Sequence, residues 1–404
     1  MIRQDGITAM AHQSVSLMSR LTLALADRIR FGTFDVTVPE GIRRACVGRE
    51  PGPVGPIRIH RNRFIRRMML GGNIGLGESY MDGDWDSSAL ADFLTVGAMN
   101  YQALDDTLNG NRFFRMLDRW THSRNSNTKV GSRRNIAYHY DLGNSFYEKW
   151  LDPSMTYSSA QFDEKARDLE AAQKRKYELL ADRLALKPDE NVLEVGCGWG
   201  GFAEHVAKSR GAKVTGITIS REQHDYAKAR IQREGLNEKV DIRLVDYRDL
   251  DGRFDRIASI EMFEAVGEKY WPVFFDMLRE RLTEGGRAAL QIITIGERHF
   301  ENYRSRPDFI QKYIFPGGML PSPTALRQHA KRAGLSLVGE DGFGLSYART
   351  LAEWNTRFQS AWPDIRTMGF DMRFKRMWEY YLAYCEAGFR SGTIDVKRVA
   401  FAKS

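Results

Sequence analysis

The sequence predicts an α/β protein: a seven-stranded, mostly parallel, doubly wound sheet with helical insertions, preceded by a smaller N-terminal α+β domain. Three observations predict it. Short apolar segments recur near 191–196, 213–219, 240–246, 254–260 and 287–295 with helical stretches between them, the alternation of a parallel sheet. The first of these strands, NVLEV, runs straight into Gly196, Gly198, Gly200 and Gly201, a strand-to-helix corner dense in glycine. The polar stretch 123–134, SRNSNTKVGSRR, has the composition of a linker and sets the sheet-forming part apart from what precedes it.

A chain of 404 residues has room for two domains, which we expect over 1–125 and 126–404. No run of 18 apolar residues is free of charge, so no segment is expected to span a bilayer. Cys46, Cys197 and Cys385 are odd in number and in no C-x-x-C spacing, which argues against a disulfide framework or a zinc site and for a reducing cytoplasm. The opening lacks the pattern of a secretory signal, and 14–30 reads as an amphipathic helix. Net charge is +8, with 19 Lys/Arg against 13 Asp/Glu in residues 1–134. Such a surface suits nucleic acid or an anionic membrane surface. The cluster RIHRNRFIRR at 58–67 comes with no nucleic-acid motif, so nucleic acid is set aside. A solvated edge-strand face and contact with phospholipid headgroups remain.

In the first domain, strands are expected at 33–38 and 56–60, then a turn at Gly71, Gly72, Gly75 and Gly77, then helices at 90–104 and 112–122. Asp82, Asp84 and Asp86 alternate as in a calcium loop. Position 12 counted from Asp82 is Phe93, however, and the required glycine is missing, so no metal is expected. Past the linker lies an aromatic segment with Tyr138, His139, Tyr140, Phe146, Tyr147 and Trp150, then a helix at 169–184 with apolar residues at helical spacing. Strands near 335–340 and 395–401 bring the sheet to seven. Helix-rich insertions are expected at about 303–330 and 350–390. The second carries Trp354, Trp378, Tyr381 and Phe389, a stripe more often core than pocket.

The glycine corner carries the chemistry. Glycine there allows positive φ and close approach of a ligand, and the free N–H groups of the helix start face it. Gly196, Gly198 and Gly201 satisfy G-x-G-x-x-G, so a dinucleotide must be considered. That reading requires an acid at the end of the second strand, for the ribose. The second strand ends instead in Thr218, Ile219 and Ser220, with no carboxylate before Glu222. The acids sit at Glu194, ahead of the glycines, and at Asp246, closing the third strand. This arrangement resembles the Rossmann-like class I S-adenosylmethionine (SAM) methyltransferases.

LDPSMTYSSA, VLEVGCGWGG, GITIS followed by Gln223, DYRDL, FDRIASIEMFEAVG, YIFPGGMLPS and FKRMWEYYLAYCEAGFR together resemble the cyclopropane-fatty-acyl-phospholipid synthase family over about 135–402. The resemblance implies transfer of the SAM methyl group to a cis double bond of a phospholipid acyl chain, with closure of a cyclopropane. It implies a cytoplasmic protein peripheral to the inner face of the membrane, and leaves a homodimer open. Tyr157, Ser158, Gly196, Gly198, Thr218, Ile219, Gln223, Asp246 and Tyr247 match cofactor-binding positions. Glu264 and Tyr347 match residues holding a bicarbonate ion that acts as the base. An isolated alkene is a weak nucleophile, so such an enzyme must align it with the methyl group and shield a carbocation, for which aromatic faces are suited.

Two departures bear on the bicarbonate site. Ser159 stands where many bacterial members have cysteine, and Ile293 where they have histidine. A serine hydroxyl still donates a hydrogen bond, whereas isoleucine offers nothing in place of imidazole. Gln291, on the same strand face as Ile293, is the available polar group. The alternative product is therefore a methyl-branched or methylated unsaturated chain without a ring. Small-amine N-methylation and a catalytically silent lipid-binding module fit less well, given the basic first domain and the intact glycine turn.

Overall fold

The computed structural model describes residues 15–108, 128, 131–132 and 142–403. The chain divides into two compact units, Met1–Gly110 and Asn111–Ser404. The boundary expected at 125, the helix expected at 112–122, nearly all of the linker and the aromatic residues 138–140 lie outside the described residues.

In the first unit, a helix Leu17–Ala26 is capped by the Ser16 side chain, which accepts from the Ser19 N–H. Four strands follow: β1 (Phe31–Thr37), β2 (Arg43–Val47), β3 (Glu50–Ile59) and β4 (Trp85–Asp86), in the order β2-β1-β3-β4. Two of these were not foreseen, β2 and the two-residue β4. The expected turn at Gly71–77 is instead helical. One helix, Arg63–Met81, runs through it and breaks at Gly72, whose φ of 52° and ψ of −134° only glycine adopts cheaply. The acids that alternate after it are engaged by the neighbouring basic cluster. Buried Asp84 takes Arg63 at 2.7 Å and Arg61 and Arg67 at 3.4 Å, Asp82 takes Arg67 at 2.7 Å, and Asp86 meets His60 at 2.8 Å. Much of the basic cluster thus neutralises its own unit's acids.

The second unit is built on β5 (Asn191–Val195), β6 (Lys213–Thr218), β7 (Val240–Leu244), β8 (Phe254–Ile260), β9 (Leu282–Ile295), β10 (Leu335–Gly342) and β11 (Ile394–Lys403). Their order is β10-β11-β9-β8-β5-β6-β7, and β11 alone runs against its neighbours β9 and β10. The seven-stranded, mostly parallel sheet expected from the sequence is present. Successive side chains of a strand point to opposite faces, and each face is covered. Leu193 and Val195 of β5 join Phe263, Trp271, Phe274 and Leu278 on one side. Val192 joins Tyr177, Leu180, Phe202, Val206 and Ala227 on the other, from the helices Leu169–Leu184, Gly201–Arg210 and Arg221–Arg233. The strand order reverses at β5, which pairs with β6 on one edge and β8 on the other, so a crevice opens beyond the carboxyl ends of β5 and β8. Two long helices, Gly344–Thr367 and Met372–Arg390, pack against each other between β10 and β11 in sequence.

Candidate active site

The corner after β5 holds Gly196, Gly198 and Gly200 at φ of 80°, 53° and 83°. Packing accounts for some of these glycines. A Cβ on Gly196 would come within 2.7 Å of Met262 Cγ, and one on Gly201 within 2.6 Å of the Tyr177 hydroxyl. At Gly198 a Cβ would meet nothing within 4 Å, so this turn stands open over a space that a bound molecule would fill. Glu194 lies beneath it, fully buried, with burial pushing its carboxyl up to about 8 and one oxygen, Oε2, without a hydrogen-bond partner among the described residues. An open glycine cradle over an unsatisfied buried acid fits the methionine part of SAM. Bound there, SAM supplies an electrophilic methyl group.

Around the crevice, the residues expected at the cofactor are held by short local bonds. At the end of β6 the Thr218 hydroxyl donates to Gln223 Oε1 at 2.9 Å and accepts the Ser220 N–H at 3.1 Å, with half-buried Ile219 between. Beyond β7, Asp246 accepts the Arg248 N–H at 3.0 Å and is gripped by its guanidinium at 2.7 Å, so this acid orders its own loop. The Tyr247 ring packs on Phe274, and burial raises its phenol to about 12. The Tyr157 hydroxyl shares a 2.6 Å hydrogen bond with that of Tyr381. Ser158 Oγ accepts from Lys176 Nζ at 2.7 Å. Lys176 was not foreseen. It lies on an ordinary-looking amphipathic helix, yet it is wholly buried, and desolvation lowers its pKa to about 7.

Of the four residues expected to be catalytic, three converge on a fifth that sequence reasoning missed. Ser159 N–H and Gln291 Nε2 donate to Glu261 Oε1 at 2.8 and 2.7 Å, and the Tyr347 hydroxyl donates to Oε2 at 2.6 Å. Ser159 contributes its backbone rather than its hydroxyl, which donates to the Ala160 carbonyl at 2.9 Å. Glu261 follows β8 directly at φ 49°, a left-handed conformation that costs a non-glycine residue about 1–3 kcal/mol. The signal available in the sequence was this acid at the carboxyl end of an apolar strand, ahead of MFEAVG.

The fourth expected residue, Glu264, stands one short turn on. Its Oε1 accepts the Ile293 N–H at 2.5 Å, so Ile293 serves through its backbone, while its Oε2 is buried with no partner among the described residues. Burial first, and then the negative charge of Glu261, push the Glu264 carboxyl up to about 8. Its carbonyl accepts the Met319 N–H at 2.8 Å, tying the FPGGM loop to the site.

An aromatic wall completes the surroundings. The Tyr157 ring lies 5.2 Å from Trp354, 5.5 Å from Trp150 and 5.4 Å from Tyr147, and Tyr347 stacks on Phe389 at 4.5 Å. The stripe expected in the second insertion is core in the sense of burial, for Trp354 is 0% and Trp378 1% exposed. It also sets Trp354 at 6.1 Å from Tyr347, one of the residues that hold Glu261; aromatic faces as a class stabilise cationic charge without attacking it.

The model of the mycolic acid cyclopropane synthetase family matches residues 127–399. The chain is 41% identical over 351 residues to a tuberculostearic acid methyltransferase of Mycobacterium tuberculosis, covering 84% of this chain and 81% of that one. It is 39% identical over 374 residues to the cyclopropane-fatty-acyl-phospholipid synthase of Escherichia coli, covering 90% and 92%. Among solved structures it resembles a mycolic acid cyclopropane synthase complexed with SAH and CTAB, with a TM-score of 0.63 and 29% identity over 67% of this chain and 98% of that one.

The buried Glu264 sets a pH test of stability. Its folded pKa, about 8, lies above the ordinary value of 4.5, so between these values the native state holds a proton that the unfolded chain has released. Stability from this group is therefore fully present below pH 4.5 and declines as pH rises toward 8, by up to about 1.4 kcal/mol per unit. Glu264→Gln keeps the shape and cannot ionise. Denaturation midpoints of the variant should gain on wild type from pH 5 to 8; parallel curves would show that Glu264 is ionised throughout.

Proposed function

Because this chain belongs to the mycolic acid cyclopropane synthetase family and is a SAM-dependent methyltransferase, we propose that it methylates the cis double bond of an unsaturated phospholipid acyl chain and closes a cyclopropane. The observation that carries this reading is the juxtaposition of the open Gly198 cradle, the aromatic wall and a buried carboxylate held by three donors. In this reading the cradle holds the cofactor and the rings of Tyr157 and Trp354 shield the cation that methyl transfer leaves on the second alkene carbon. A buried acceptor then removes a proton. Loss from the new methyl carbon closes the ring.

A second reading keeps the methyl transfer and ends with a methylated unsaturated chain, the proton being lost from a chain carbon; a saturated methyl-branched chain would follow only from a later two-electron reduction by a separate hydride donor. Glu261 favours it, since a carboxylate fixed to β8 and Ile293 in place of histidine alter the acceptor's position relative to the chain. The relative named as a tuberculostearic acid methyltransferase supports the same alternative. Expression in a host lacking such an activity, followed by mass spectrometry and NMR of the lipids, separates them. Both products add a carbon to the acyl chain, and only the ring gives an upfield ring-methylene proton. No change in the lipids would refute both readings.

We further propose that the first unit meets an anionic membrane surface peripherally. Among the described residues no helix is long and apolar enough to cross a membrane. Leu17 and Leu21 on the helix Leu17–Ala26 are 67% and 40% exposed, and Met69 and Leu70 on the helix Arg63–Met81 are exposed beside Arg66. Apolar tips with basic flanks suit the headgroup boundary. Since Arg61 and Arg63 serve Asp84, the informative variant is Leu17→Asp with Leu21→Asp. Co-sedimentation with phosphatidylglycerol vesicles should fall in the variant and with added salt; equal binding would reject this surface.

A further inference from the structure

We propose that Glu261 is the catalytic base of the reaction, a carboxylate built into the chain in the place where the family resemblance puts a separate bicarbonate ion. The inference rests on the lipid-methylation reading and deepens it. Bicarbonate does not fit the residues present. Two of the groups expected to serve that ion, the Ser159 position and Tyr347, together with Gln291, already donate to the two oxygens of Glu261 at 2.6–2.8 Å. Ile293 supplies no imidazole, and its N–H is spent on Glu264. A trigonal anion on the same donors would have to displace the side chain that now satisfies them.

An independent observation concerns the backbone. Glu261 holds φ at 49° with no glycine to make that cheap, and the strained position lies at the carboxyl edge of the sheet, where ligands are bound in open α/β folds. Its side chain is anchored from three other segments, by Ser159 ahead of the helix Leu169–Leu184, Gln291 on β9 and Tyr347 on the helix Gly344–Thr367. Three donors from three segments thereby pre-position the carboxylate, which is what a base serving a short-lived cation requires.

The step balances without a further reagent. The alkene π pair forms the bond to the SAM methyl carbon as the sulfur–carbon bond breaks, and SAH leaves neutral. The other alkene carbon becomes cationic. Glu261 takes a proton from the methyl carbon, and the released C–H pair forms the third side of the ring; if the proton comes from an adjacent chain carbon, the pair forms a double bond instead. Glu261 ends protonated and returns the proton to solvent between turnovers. Ser159, Gln291 and Tyr347 are positioning residues in this scheme.

The test compares wild type, Glu261→Gln and Glu261→Gly on vesicles of unsaturated phospholipid, in buffer freed of carbon dioxide and with bicarbonate restored. Wild type should turn over equally in both. Glu261→Gln should lose roughly 100-fold or more of kcat while binding SAH in calorimetry as wild type does. Glu261→Gly relieves the positive φ but leaves three donors without their acceptor; it should still bind SAH as wild type does while its activity is lost, and added formate or bicarbonate should restore part of that activity by filling the space on the three donors. Wild-type turnover that requires bicarbonate, or a Glu261→Gln variant as active as wild type, would overturn the proposal. Absence of any methyl transfer by wild type would refute the lipid-methylation reading itself.

Discussion

Two carboxyl groups buried within one short turn cannot both carry charge cheaply, and the site is arranged around that constraint. Glu261 receives three hydrogen-bond donors and the attraction of Lys176, while Glu264 receives one backbone N–H and the repulsion of Glu261. Burial pushes both carboxyls up, and at Glu261 the Tyr347 hydroxyl, Lys176, Gln291 and the Ser159 N–H offset part of that push, whereas at Glu264 the neighbouring charge adds to it. The pair titrates as a unit, and the asymmetry of its donors decides which oxygen atoms accept a proton. Nearby segments are set by this need. The loop at Ser159 turns its N–H inward, Gln291 sits on the β9 face that meets β8, and the helix carrying Tyr347 packs where its hydroxyl reaches the acid.

The same constraint gives the aromatic residues beside the site, which belong to the core, a part in the proposed reaction. Where water is excluded, a carboxylate can stay charged only if hydrogen-bond donors replace that water. Trp150, Trp354 and Tyr157 exclude water beside the residues that hold Glu261, and their faces suit a positive charge formed there. Lys176, which donates to Ser158 and whose pKa burial lowers to about 7, lies on the helix that also supplies Gln173 and Tyr177 to the loop 156–158.

The fold was legible because it depends on local period and on glycine. Strand lengths, the alternation with helices and the corner at Gly196–Gly201 follow from residue types that few other conformations tolerate, and the seven-stranded sheet followed from them. The first unit was harder. Pro51, Pro53 and Pro56 depress the strand signal of β3, β2 reads as a run of charge, and β4 has two residues. Gly71–77 reads as a turn, yet the chain leaves helical geometry there only at Gly72 and continues as helix to Met81. At the site, Ser159, Glu264 and Tyr347 could be selected from the resemblance and Gln291 from the strand face it shares with Ile293, but their convergence on Glu261 could not. It depends on the register of β8 against β9, Ile260 facing Gln291, and on a backbone turn through positive φ that no pattern of residue types announces.

The most direct test is a crystal structure of the SAH complex, grown from solution containing bicarbonate. The account predicts density for the Glu261 carboxylate continuous with its main chain and within hydrogen-bond reach of Ser159 N–H, Gln291 and Tyr347. A separate trigonal anion on those three donors, with Glu261 turned away from them, would contradict it.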